Sequence, residues 1–117
     1  MKRLLLVLCI IMLFSCKQKN TQPPLFQLME NTGVDFINTV TDNDSINILN
    51  YRNFYNGGGV AAGDINNDGL PDLFFTANQG ANKLYLNKGN FQFEDISEKA
   101  GFGNKLQFST GVVFVDI

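Results

Sequence analysis

Histidine is missing from all 117 residues, which removes the commonest general base and the usual transition-metal ligand. Cysteine is scarce, with Cys9 and Cys16 alone. If the chain is processed before Cys16, a single cysteine is left and no internal disulfide can form, so packing and bound ions must stabilise the fold. Long apolar runs are missing as well. The longest is the eleven residues Leu4 to Phe14, too few to cross a bilayer as a helix. Positive charge is thin: nine Lys and Arg face eleven Asp and Glu, and the basic residues are scattered. Nothing in that balance favours a nucleic-acid partner, and none is expected.

The apolar run has a use of its own. Preceded by Met1-Lys2-Arg3 and followed by Ser15-Cys16, it reads as a secretory signal, residues 1–15. Leu13-Phe14-Ser15-Cys16 is similar to a bacterial lipobox, in which the cysteine is lipidated and becomes the new amino end. Cys16 is thus the expected lipid anchor, and the location extracytoplasmic, at the outer membrane or cell surface. Without Lys2 and Arg3, seven basic residues remain against eleven acidic ones. Residues 16–24 end in Pro23-Pro24 and read as a flexible tether. Residues 25–56 read as a lead-in with little regular structure, with weak strand character at Val34-Asp35-Phe36-Ile37. Asp42 and Asp44 lack the glycine and the later carboxylate of a metal loop, so that stretch reads as a solvated turn.

From Gly57 the pattern becomes regular. Strands are expected at Val60 to Asp64, Leu73 to Ala77, Lys83 to Asn87 and Phe91 to Ile96, separated by glycine and asparagine turns. Ser97-Glu98-Lys99-Ala100-Gly101 adds a cap, one helical turn and a glycine stop. Leu73, Phe75, Leu84, Leu86, Phe91 and Phe93 are expected to form packed sheet faces.

Between the first two strands lies Asp64-Ile65-Asn66-Asn67-Asp68-Gly69-Leu70-Pro71-Asp72. Oxygen-bearing side chains at places one, three, five and nine, with glycine at six, have the ligand spacing of a calcium loop. A hard dication seeks six to eight oxygens at about 2.3 to 2.6 Å, and a tight coil turns alternate side chains inward to supply them. Asp64, Asn66, Asp68 and Asp72 would offer side-chain oxygens, and Leu70 its carbonyl. The twelfth place is Phe75 rather than a bidentate glutamate, so water is expected to complete the shell. Without an ion, the same residues would serve as a polar hairpin turn.

Gly111-Val112-Val113-Phe114-Val115-Asp116-Ile117 repeats the frame of Gly59-Val60-Ala61-Ala62-Gly63-Asp64-Ile65 at an offset of 52 residues. A four-stranded unit recurring at that period is the mark of a propeller blade. The expected fold is all-β: a β-propeller fragment with one four-stranded antiparallel blade at 57–108 and the start of a second at 109–117. Asp116 would open the next, incomplete metal loop.

The stretch from Asn56 to Leu73 resembles the FG-GAP/VCBS repeat, which also occurs in integrin alpha-chain propellers. Asn82 to Phe91 with Phe93-Glu94-Asp95-Ile96 is similar to secreted bacterial proteins whose propeller precedes an ASPIC/UnbV domain. The resemblance implies a seven-bladed propeller with calcium in its loops, and adhesion or ligand binding instead of catalysis, the ligand being an extracellular protein or glycan. The rival is the propeller part of a polysaccharide-degrading enzyme with its catalytic residues beyond residue 117. Glu94 and Asp95, as strand neighbours, point to opposite faces and make no catalytic pair. Gly57-Gly58-Gly59-Val60-Ala61-Ala62 matches a dinucleotide fingerprint in letters only, because no helix is expected after it.

Overall fold

Apolar stretches of three to five residues between turn formers are too short for helices and find their hydrogen bonds in a sheet ladder. The computed structural model describes residues 23–103 and 108–115. The leader, Cys16 and Asp116 lie outside them. Strands β1 (Val60–Gly63), β2 (Asp72–Phe75), β3 (Lys83–Asn87) and β4 (Phe93–Asp95) form one antiparallel sheet in chain order. This is the expected meander.

The strand ends differ from expectation for local reasons. The Gly63–Asp72 pair is the last rung before the loop, so β1 stops short of Asp64 and β2 begins at Asp72. Asn90 and Phe91 have φ of 52° and 57°, a left-handed backbone that no strand accommodates, and β4 starts only at Phe93. Phe91 is 63% exposed, which corrects its place on a packed face. The turn after β4 forms as expected: Ala100 N–H donates to the Ile96 carbonyl, and Gly101 closes it at φ 84°. Its cap is Asp95, which accepts the Ser97 N–H, while the Ser97 hydroxyl turns inward to accept from Leu84 N–H.

Strand alternation divides the sheet into two faces. Register puts Ala61, Gly63, Phe74 and Leu84 on one. Phe102 and Phe114 cover it, with ring centres 4.9 and 6.3 Å from Phe74. A Cβ on Gly59 would lie 3.0 Å from Gly111 Cα, and one on Gly63 would lie 2.9 Å from the Phe114 ring, so the glycines of this strand admit the run that begins at Gly111.

The other face carries Leu73, Phe75, Tyr85 and Asp95. Residues 32–41 lie over it as a strap that joins no ladder. Exposure alternates along Thr32 to Val40, so the strand character seen at Val34 to Ile37 is that of an extended run packed face-on. Phe36 stacks on Phe75 at 5.0 Å, and the buried Tyr85 donates its hydroxyl to Asp35 over 2.6 Å. Burial, and then that bond, push the Tyr85 phenol up. Asn38 and the buried Asn78 exchange hydrogen bonds of 2.7 and 3.0 Å, and Thr41 and Gln79 do likewise at 2.6 and 2.9 Å. Asn78 also donates to the carbonyls of Gly57 and Ser109, so one amide joins four segments. Beside the sheet, Phe54 is fully buried against Tyr55 and Phe108, worth about 1.5–3 kcal/mol.

Candidate metal centre

The loop between β1 and β2 is coiled by two left-handed residues, Asn67 at φ 60° and Gly69 at φ 84°. Asparagine tolerates that state, and glycine adopts it without cost. Nothing lies within 4 Å of a Cβ built on Gly69, so its requirement is conformational, not spatial.

Within the coil the side-chain oxygens turn back on the loop's own backbone. Asp64 accepts from Gly69 N–H at 2.7 Å and from Asp68 N–H at 3.2 Å. Asn66 Oδ1 also accepts from Asp68 N–H at 3.2 Å, and Asp68 accepts from Leu70 N–H at 2.8 Å. One side-chain donor enters, the Asn66 amide on Asp68 Oδ2 at 2.8 Å. The Gly69 amide outweighs the cost of desolvation and, with neighbouring amides, holds the exposed Asp64 carboxyl below its usual range. Asp64 is therefore ionised at neutral pH.

Asp72 stands apart from these three. It is fully buried at the base of the loop, with Oδ2 accepting from Ile65 N–H at 3.0 Å and Oδ1 from Asn87 N–H at 2.7 Å. Asn87 completes the link by donating to the Pro71 carbonyl at 2.9 Å. The ninth-place carboxylate thus ties the loop to the end of β3, a role that its spacing alone does not reveal. Among the described residues no three His, Cys, Asp or Glu side chains gather into one cluster. The loop offers a mixed oxygen set instead: the Asp64 and Asp68 carboxylates, the Asn66 amide and the Leu70 carbonyl, with Asp72 at the base. All are hard oxygen ligands, and each carboxylate oxygen has acceptor capacity beyond one hydrogen bond. That chemistry fits calcium and not a softer metal.

The two acids of β4 are otherwise engaged. Glu94 pairs with Lys88 and Lys99 at 3.6 Å, while Asp95, on the opposite face, pairs with Lys83. Burial pushes the Asp95 carboxyl up, but the Lys83 ammonium and Ser97 outweigh it and hold the group below its usual range. The Asp95 bond raises Lys83 correspondingly. The glycine run at 57–59 leads into β1, not into a helix, as its context predicted. Sequence reading missed the long-range bonds of Asp35, Asn78 and Ser97, which reach 13 to 50 residues along the chain.

Comparison with known proteins agrees with this architecture. Over 65 residues the chain is 38% identical to cartilage acidic protein 1 of Xenopus tropicalis, a stretch that covers 55% of this chain and 10% of that protein. The chain therefore spans about a tenth of that relative's length. No solved structure matches it significantly. Residues 64–117 match the FG-GAP-like repeat, and the sheet that this stretch completes with β1 is the four-stranded meander of a β-propeller blade.

Proposed function

We propose that this chain is a calcium-binding propeller module that recognises an extracellular protein or glycan and is held to a bacterial membrane by lipid on Cys16. The observation that carries the reading is the coil from Asp64 to Asp72, in which three side chains bring oxygens onto one turn and a fourth fastens its base. The dication would relieve repulsion among Asp64, Asp68 and Asp72 and fix the approach of β1 to β2. Its role is structural, and an affinity on the order of 10⁻⁴ to 10⁻³ M suits calcium-rich surroundings. A binding module is favoured over an enzyme because the sheet's acids are taken up by lysines and backbone amides.

Calorimetric titration of the full gene product with calcium tests this. Saturable uptake that Asp64→Ala with Asp68→Ala abolishes is expected, together with a calcium-dependent rise in Tm in the unaltered protein only. Equal uptake by both would refute the site.

A further inference from the structure

Glycine directly follows an asparagine or an aspartate at two places in this chain, Asn56-Gly57 and Asp68-Gly69. Such pairs share one chemistry. The glycine nitrogen, with no Cβ beside it, can reach the side-chain Cγ of the residue before it and close a five-membered imide. In backbone and surroundings the two pairs are alike. Both glycines are left-handed, with φ of 76° and 84°, and nothing lies within 4 Å of a Cβ built on either. Asn56, Asp68 and Gly69 are exposed and Gly57 is half-buried.

They differ in what is held. Gly69 N–H donates to Asp64 Oδ2 at 2.7 Å, and both Asp68 carboxylate oxygens accept, one from Leu70 N–H and one from the Asn66 amide, each at 2.8 Å. Nucleophile and electrophile are both tied. At Asn56-Gly57 neither is. Asn56 donates its own N–H to the Asn53 carbonyl at 3.2 Å, but among the described residues its side chain has no hydrogen-bond partner and the Gly57 N–H has no acceptor. An uncharged amide is also a better electrophile than a carboxylate.

We infer that Asn56-Gly57 is a self-modifying site, at which the chain converts its own asparagine to isoaspartate and aspartate. The Gly57 nitrogen gives up its proton and bonds to Asn56 Cγ, the Cγ–Nδ2 bond breaks, and Nδ2 takes the proton and leaves as ammonia. Water then opens the imide. Addition at Cγ gives aspartate, and addition at the main-chain carbonyl of residue 56 routes the backbone through Cγ as isoaspartate. Water is the co-reactant, and nothing is oxidised or reduced.

The position gives the change a physical effect. The Gly57 carbonyl accepts from the buried Asn78 amide at 2.9 Å, and a Cβ on Gly58 would lie 1.9 Å from the Thr76 carbonyl oxygen. Isoaspartate adds one backbone carbon and one negative charge directly before this close approach. The entry to β1 must then shift, and aged protein differs from fresh protein at that joint.

Ageing the full gene product at pH 8 and 37 °C, with its peptides read by mass spectrometry, tests this. Conversion at Asn56 is expected to run at least about tenfold ahead of every other asparagine, with isoaspartate among the products and a lowered Tm in the converted fraction. Gly57→Ala should slow it about tenfold. Asn56→Gln, which keeps the amide and the backbone, should abolish it and leave Tm constant with age. Conversion no faster than at Asn43 or Asn90 overturns the inference. Aspartate without isoaspartate means that water attacks Cγ in place of the Gly57 nitrogen, and overturns it equally. Rearrangement of Asp68-Gly69 in step with Asn56 would show that a bound N–H gives no protection, which removes the contrast on which the inference stands.

Discussion

Two loops of this chain are rich in Asp and Asn, and they resolve their polarity in opposite ways. In the Asp42–Asn50 loop the asparagines act as both donors and acceptors. Asn43 Oδ1 takes the amides of Ser45 and Ile46, Asn47 Oδ1 takes those of Leu49 and Asn50, and the Asn47 and Asn50 side-chain amides donate to the carbonyls of Asn43, Asp44 and Ser45. The loop's backbone amides are met by asparagine oxygens, and Asp42 accepts from the Tyr55 hydroxyl outside the loop. In the Asp64–Asp72 loop three carboxylates accept and one asparagine amide donates, which leaves a surplus of acceptors and negative charge. Composition makes the two look alike. The ratio of donors to acceptors separates this turn from the proposed cation site.

The strongest way to break this contrast is Asp72→Ala. It removes the fully buried carboxylate that accepts the partly buried amides of Ile65 and Asn87, and a loss of about 1–3 kcal/mol is expected in denaturant unfolding, with calcium or without. Asp44→Ala in the other loop should change stability by less than about 0.5 kcal/mol. Equal losses would show that the buried carboxylate does not distinguish the loops.

Gly69→Ala comes next. It forces a Cβ into the left-handed region and should cost about 1–2 kcal/mol by the same measurement. Among the described residues the Asp42–Asn50 loop has no positive φ, so Ser45→Ala should be near neutral.

Calcium sharpens the comparison directly. At a free concentration tenfold above the dissociation constant, binding should stabilise the folded state by about 1.4 kcal/mol. A calorimetric scan with and without chelator should show that gain in the unaltered protein and in an Asp42→Ala, Asp44→Ala variant. It should vanish in the Asp64→Ala, Asp68→Ala variant.

The smallest effect belongs to a pair outside both loops, Lys83 with Asp95, which serves as a control. The folded Asp95 pKa lies below its unfolded value, so its contribution is present above the ordinary carboxylate pKa and fades as pH falls through the folded one. Lys83 is raised, so its share is present below the ordinary lysine pKa and is lost as pH rises through the folded value. The pair is partly exposed, and about 0.2–1 kcal/mol is expected. Unfolding of Asp95→Asn and the unaltered protein at pH 6 and at pH 2 should show that difference at the higher pH only, irrespective of calcium.

Local information in the sequence went as far as local physics does. β3 runs from Lys83 to Asn87 as its alternation indicates, and the turn at Gly101 closes where a glycine stop was expected. Phe91 failed because alternation registers polarity and is blind to a left-handed backbone set by Asn90 and Gly89. In the candidate site the spacing located the coil and its oxygens, but it could not show that Asp72 reaches Asn87, fifteen residues on. The strap was least legible. Its alternation is real, but its partners are side chains of β2, β3 and the turn between them instead of one neighbouring ladder, and no short window of sequence holds them together.

The side chain of Asn78 has a bearing on the order of assembly. Its partners extend from Asn38 to Ser109, so the knot cannot be tied until residue 109 has been synthesised. On a ribosome Phe54 and Phe74 must wait, because their ring partners Phe108, Phe102 and Phe114 all come later in the chain. Synthesis speed across residues 79 to 109 then sets how long that apolar surface stays open to wrong partners.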